Sequence, residues 1–199
     1  EDERDNLGAV SLFSTNNNVR IYNNANLCKL DVQEFTYRAT FIGKGANHLA
    51  DGVLDDTIVL KVGAQVMLNV NISVEDGLVN GATGHVIGCS AESVTVKFVN
   101  GITRMLIRHE YILEEETGSK VIQIPLRLAW AVSIHKSQSC TLDRVVIDLG
   151  NCFADGQAYV ALSRARSIEG VYLTNFSENS IKTDMTVVNF EQELLTDCI

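Results

Sequence analysis

The cysteines of this chain follow no scheme. Five are scattered at positions 28, 89, 140, 152 and 198, with no CxxC pair and no HxxxH or HExxH beside them. An odd and irregular set does not suit a disulfide framework, and structural zinc needs tighter ligand spacing, so free thiols in a reducing compartment are expected. Long apolar runs are missing too. No window approaches about 18 uninterrupted apolar residues, and the opening EDERDN is acidic rather than basic, so neither a membrane span nor a secretory signal is read. Positive charge is scarce: 16 Lys and Arg stand against 25 Asp and Glu, a net charge of −9. Since affinity for nucleic acid rests largely on Lys and Arg contacts to phosphate, strong nonspecific binding by this chain alone is not expected on charge grounds. Internal repeats and low-complexity tracts are absent.

What is present is enough for a folded protein. The 199 residues are 46% hydrophobic, sufficient for one core carrying a small satellite domain. The acidity is uneven: −4 over residues 1–60, −2 over 61–121, +1 over 122–176 and −4 over 177–199. Only the third stretch escapes it, which leaves room there for a local anion site.

AVSLFST (9–15) reads as a short strand ending in hydroxyl residues. Val19, Tyr22, Leu27 and Leu30 then recur at helical spacing behind Thr15 or Asn16 as cap. FTYRATF alternates as one further strand. From about residue 57 the period becomes twofold through TIVLKV, QVMLNVNI, GHVIG, SVTVKFV and ITRMLIR, the last two joined at Asn100-Gly101, a hairpin signal in which both turn residues take positive φ. Five short strands without a helix between them predict a small antiparallel barrel that hides its edges. After Pro125 the α/β pattern returns. LRLAWAVSI and VVIDL read as strands covered on both faces, FADGQAYVALSRARS as a helix with Ala158, Ala161, Leu162 and Ala165 on one stripe, and VYLTNF as a strand. The expected organisation is α/β: residues 1–60 begin a parallel-sheet domain, 61–121 form an inserted barrel, and 122–199 complete the first domain.

HKSQSC (135–140) follows one apolar strand and the GQAYVALSRAR helix follows another. In an open α/β sheet ligands collect at the carboxyl ends of the strands, so polar residues in both places are expected to converge on one phosphate-sized target.

These strings are recognisable. SIHKSQSCTLDRVVIDL followed by GQAYVALSRARSIEGVYLTNF resembles motifs V and VI of superfamily 1 DNA helicases, most closely the petite-integration-frequency family. LKVGAQVMLNVN with LVNGATGHVIG resembles the Src-homology-3-like barrel this family inserts into its second RecA-like lobe, and LFSTNNNVRIYNNANL resembles its motif IV segment. The likeness spans roughly residues 9–190 in the family's order. It implies the second lobe of a P-loop NTPase that shares ATP and Mg²⁺ with an N-terminal RecA-like lobe of the same protein and moves 5′ to 3′ along single-stranded DNA as a monomer, off the membrane and in the nucleus. Arg164 would reach the terminal phosphoryl group, where a bidentate charge-assisted contact stabilises the transition state. Gln138, Ser139 and Gln157 would lie near the nucleotide. Thr15, Asn16, Ser133, His135 and Lys136 would contact the polynucleotide backbone, fixing position rather than sequence.

The sequence departs from the family pattern in two ways. Ser139 stands where the family has glycine, and neither GxxxxGK[ST] nor an apolar strand ending in Asp-Glu occurs, so the phosphate cradle and the Mg²⁺ carboxylates are not in these residues. The fragment alone is therefore expected to be inactive. Competing functions are a non-catalytic docking or regulatory module and the same motor on RNA. Plainer readings stand beside the assigned ones: Arg164 paired with Glu169, His135 as a surface histidine, Trp130 as core, Glu114–Glu116 as a solvated turn, and Asp143 and Asp148 as turn and strand-end residues.

Overall fold

A computed structural model describes residues 8–43, 46, 54–114, 118–138, 140–150 and 152–196, with side chains described to residue 190. The chain divides into two compact units, Glu1–Ile21 with Ala131–Ile199, and Tyr22–Trp130.

The first unit is built on a parallel sheet. Its strands are β1 (Val10–Phe13), β12 (Ala131–Ser133), β13 (Val145–Asp148) and β14 (Val171–Thr174), in the order β12-β1-β13-β14, and every neighbouring pair runs parallel. Val10, Leu12, Ala131, Val132, Val145, Val146 and Ile147 are all buried, so the central strands carry apolar side chains on both faces. Helix α1 (Asn16–Lys29) begins directly after β1, and Thr15 Oγ1 accepts from Asn18 N–H at 3.4 Å, the expected cap.

The second unit is antiparallel. Strands β5 (Gln65–Leu68), β6 (Thr83–Cys89), β7 (Ser93–Phe98), β8 (Thr103–Ile107) and β11 (Leu126–Leu128) form a five-stranded sheet in the order β11-β5-β6-β7-β8. Strand β4 (Thr57–Lys61) pairs with β2 (Glu34–Arg38), while β3 (Thr40–Ile42), β9 (His109–Glu114) and β10 (Ser119–Gln123) make a three-stranded sheet. Tyr37, Leu60, Val66, Leu68, Leu78, Val94, Val96, Phe98, Ile124 and Leu126 fill one core, with Trp130 partly buried against it.

All five strands expected between residues 57 and 107 are present, and the hairpin at Asn100-Gly101 forms. Its turn differs from the expectation: only Gly101 takes positive φ, at 89°. Gly101 N–H donates to Phe98 O, and Ile102 N–H to the Asn100 side chain, so residues 99–101 form a three-residue loop ending in a left-handed glycine.

Other apolar runs divide where the chain changes partners. FTYRATF breaks at Ala39, whose N–H donates to Asp56 O, giving β2 to one sheet and β3 to another. LRLAWAVSI breaks at Ala129–Trp130. Gln65 O takes the Ala129 N–H at 2.9 Å while Gln65 Nε2 donates to Ala129 O at 3.0 Å, so the first half joins β5 and the second joins β1. The C-terminal helix α3 (Met185–Thr196) starts at Asp184, whose carboxylate takes the Thr186 N–H at 2.8 Å; that bond holds the acid below the usual carboxylate range.

Gln123 pins this second unit from inside. Fully buried, it takes the Ile124 N–H on Oε1 at 2.9 Å and donates from Nε2 to the carbonyls of Tyr37, Asp55 and Asp56 at 3.2–3.4 Å. Gln123→Leu keeps the volume but strips these backbone groups of their partner. The substitution is expected to lower stability by about 2–4 kcal/mol, seen as a reduced urea midpoint with unchanged slope.

Candidate nucleotide and nucleic-acid site

At the carboxyl edge of the parallel sheet, β1 and β12 end side by side. Phe13 lies opposite Ser133, and Ile134 N–H donates to Phe13 O at 3.0 Å. Ser14 and Thr15 therefore leave the sheet beside Ile134 and His135. Thr15 is half-buried, and Asn16 and His135 are exposed. His135–Ser137 coils into a 3-10 turn, with Ser137 Oγ donating to Ile134 O at 2.7 Å and Lys136 N–H to Ser133 Oγ at 3.4 Å. Ser133 is buried and its Oγ braces the start of this turn, Lys136 is half-buried and Gln138 is exposed. One edge thus gathers Thr15, Asn16, Ser133, His135, Lys136 and Gln138.

Ser14 belongs to the same edge and was not singled out from the sequence. It is 5% exposed, and among the described residues its Oγ has no hydrogen-bond partner. Nothing in SLFST distinguishes Ser14 from a core serine, because its exceptional feature is a missing partner. Ser139 lies outside the described residues.

Gln157 opens helix α2 (Gln157–Leu162). It is 4% exposed, with Oε1 taking the N–H groups of Phe153 and Ala154 at 3.0 and 3.4 Å while Nε2 has no partner among the described residues. Its amide holds the turn that leads into the helix. Nearby, Asp148 Oδ1 accepts from Gly150 N–H at 3.0 Å and Asn175 Nδ2 at 3.3 Å, tying the ends of β13 and β14 together as a strand-end residue does. Cys152 is buried there, and burial, with the negative charge of Asp148, pushes its thiol pKa up. The four described cysteines are all free thiols.

Arg164 stands elsewhere. The helix expected to run through SRARS ends at Leu162, because the backbone beyond it is taken by another segment. Arg164 O accepts Leu142 N–H at 2.8 Å and Arg166 N–H donates to Leu142 O at 2.9 Å, a parallel bridge centred on Leu142 and Ala165. Leu142 precedes β13, so Arg164 sits toward the amino edge of the sheet, away from Ser133 and Thr15 across the depth of the strands. The structure does not bring Arg164 and the polar row to one point. It joins them through residues 134–142, which leave β12 at the carboxyl edge and reach Arg164 at Leu142.

The guanidinium folds against the end of its own helix. Its Nε donates to Val160 O at 3.0 Å and its Nη2 to Ser163 Oγ at 2.9 Å. Glu169 does not hold it: that exposed carboxylate is engaged by its own N–H and by Ser167, which keep it below the usual range. The exposed ion pair of this region is Arg166 with Asp143, at 3.2 Å. Among the described residues no three His, Cys, Asp or Glu side chains cluster closely enough to hold a metal.

Comparison with known proteins follows the same lines. Residues 48–89 match the family model described as DNA helicase Pif1, 2B domain. The human protein named ATP-dependent DNA helicase PIF1 is 49% identical over 137 residues, covering 66% of this chain and 21% of that protein. Bacteroides sp. Pif1, solved in complex with ADP-AlF4, superposes with a TM-score of 0.83 at 29% identity, covering 96% of this chain and 46% of the solved one. The chain belongs to the Pif1 helicase family. Bacteroides Pif1 bound to single-stranded DNA is also similar, with a TM-score of 0.70 at 28% identity over 95% of this chain and 46% of that one. The chain therefore spans about a fifth of its human relative and under half of these two solved Pif1 chains.

Gly170 is a close-packed point of the first unit. A Cβ on it would overlap the Asp143 carbonyl oxygen, next to the Leu142 bridge. Gly170→Ala is expected to cost about 1–3 kcal/mol through the backbone shift it forces, measured by chemical denaturation.

Proposed function

We propose that this segment is a motor lobe of an ATP-dependent DNA helicase. It acts with a further RecA-like lobe that supplies the phosphate-cradling loop and the carboxylates for Mg²⁺, and moves 5′ to 3′ on single-stranded DNA inside the cell. The names of its relatives support the activity, and the ADP-AlF4 and single-stranded DNA complexes of Bacteroides Pif1 support the nucleotide and the track. The strand-rich unit, matched in part by the Pif1 2B model, is the inserted Src-homology-3-like module of that lobe.

The observation that carries this reading is the connection from Ile134 to Leu142. At one end it presents hydroxyls and amides beside the start of α1, which suits contact with successive backbone phosphates. At the other it is hydrogen-bonded to the backbone on both sides of Ala165. Bound nucleotide would supply the phosphoryl group to be transferred to water. Arg164 would meet the charge developing there, and a shift of this loop would reach the polynucleotide contacts at its far end. Thr15, His135 and Lys136 hold position on the track and buried Ser133 shapes the turn that presents them, while Gln138 lies between the two ends.

In the full-length protein, Arg164→Ala is expected to lower DNA-stimulated ATPase at least about 10³-fold while ATP binding persists, and Arg164→Lys to recover little of it, because a single ammonium lacks the planar fork. Unchanged turnover would sink the assignment. Lys136→Ala is expected to weaken single-strand binding evenly across sequences and to reduce the salt slope by about one, read by fluorescence anisotropy at several salt concentrations. DNA and RNA of one sequence, compared in both assays, identify the track. A protein that binds neither strand and hydrolyses no ATP at full length would instead be a docking module.

A further inference from the structure

We infer that Ser163, with the backbone carbonyl of Val160, is a positioning residue for Arg164; this inference rests on the proposed role of Arg164 toward the terminal phosphoryl group. The last carbonyls of a helix lack intrahelical partners. Tyr159 O finds one in Ser163 N–H, at 2.9 Å, but Arg164 N–H turns to Ala161 O at 3.2 Å, so the i+4 backbone donor does not reach Val160 O. Two side chains fill the place instead. Ser163 Oγ donates to Val160 O at 2.9 Å and Arg164 Nε donates to the same oxygen at 3.0 Å. Arg164 Nη2 then closes the ring onto Ser163 Oγ at 2.9 Å.

The geometry of the ring decides what it does. A guanidinium has two edges that bind an oxyanion bidentately, a side edge made of Nε–H with Nη2–H and an end edge made of Nη1–H with the other Nη2–H. The ring occupies the side edge completely. Among the described residues Nη1 has no hydrogen bond, so the end edge is the one left to receive a phosphoryl group. A long side chain with several rotamers is thereby held at both donors of one edge, its charge supported by the negative end of the helix, and its backbone is fixed by Leu142. The contact with a transferred phosphoryl group then needs little further ordering, which is where preorganised charge gains its advantage. Val160 contributes only its carbonyl, so Ser163 is the one side chain through which this orientation can be altered without removing the arginine.

Ser163 is exposed, so its substitution leaves the fold intact. In the full-length protein Ser163→Ala is expected to lower kcat and kcat/KM together by about ten-fold. ADP affinity should not change, since ADP lacks the terminal phosphoryl group, whereas affinity for ADP–aluminium fluoride should fall by a similar factor. Ser163→Thr, which keeps the hydroxyl, should restore both. In the Arg164→Ala background Ser163→Ala should have no further effect. Tighter analogue binding on Ser163→Ala would overturn the proposal, because the hydroxyl would then be restraining the arginine rather than aiming it; so would a change under two-fold, failure of threonine to rescue, or an equal loss in the Arg164→Ala background. A separate readout needs no nucleotide. Solvent exchange of the Arg164 Nε proton, followed by NMR in the free protein, should quicken severalfold on Ser163→Ala, and unchanged exchange would show that the ring does not form. The two readings fail differently: an Arg164→Ala protein with normal turnover removes the phosphoryl contact, while the exchange measurement still reports whether Ser163 orients the side chain.

Discussion

The backbone bridge at Leu142 is the contact on which the rest of the first unit's chemistry depends. Two hydrogen bonds, to Arg164 O and from Arg166 N–H, stop helix α2 after six residues and turn the chain that follows into a short parallel partner of the segment before β13. Had the helix continued, Arg164 N–H would have satisfied Val160 O. Because it does not, that carbonyl is open to side chains, and the guanidinium and the Ser163 hydroxyl occupy it. The arginine's orientation thus follows from a termination imposed by a different part of the chain. Gly170 packs against the residue that follows Leu142, where no side chain fits against the Asp143 carbonyl.

This bridge also separates two kinds of chemistry. Strands of three or four residues give the sheet a depth of about 10–13 Å, and Arg164 and the polar row lie toward its opposite edges. Under the proposed function the nucleotide and the strand meet the lobe toward these two edges, joined by the connection from Ile134 to Leu142. Its local bonds are tight: Ser137 Oγ to Ile134 O, Cys140 N–H to Ser137 O, and Leu142 to Arg164.

Much of this was legible from residues alone. Twofold alternation located the five strands between 57 and 107, and the apolar runs with polar ends located the parallel sheet and the hydroxyls at its carboxyl edge. What periodicity could not show was partnership. LRLAWAVSI is uniformly apolar whether it is one strand or two, and the break at Ala129 exists because Gln65, 64 residues away, supplies both a donor and an acceptor. The helical stripe through Ala158, Ala161, Leu162 and Ala165 is likewise real as a pattern, yet Ala165 leaves the helix for Leu142. Long-range backbone competition of this kind leaves no mark on local composition. The unpaired hydroxyl of Ser14 and the ring around Arg164 were hidden for the same reason, as both are defined by which hydrogen bonds are made.

The charge of the chain bears on how such a lobe could hold a polyanion and still advance along it. The net charge of −9 over these residues contributes no attraction to a polyanion, and the strand-end row offers chiefly Thr15, Asn16 and the backbone groups that open α1, with His135 and Lys136 as its cationic side chains. Neutral donors discriminate by distance. They bind a phosphate seated at about 3 Å and contribute little beyond it, whereas lysines attract over a Debye length of about 8–10 Å. Under the proposed function a motor must release the backbone once per step, and short-range contacts make that release steep: a displacement of an ångström or two undoes most of the interaction. The scarcity of positive charge, which seemed at first to argue against a nucleic-acid partner, is consistent with a site that positions the strand and then lets it go.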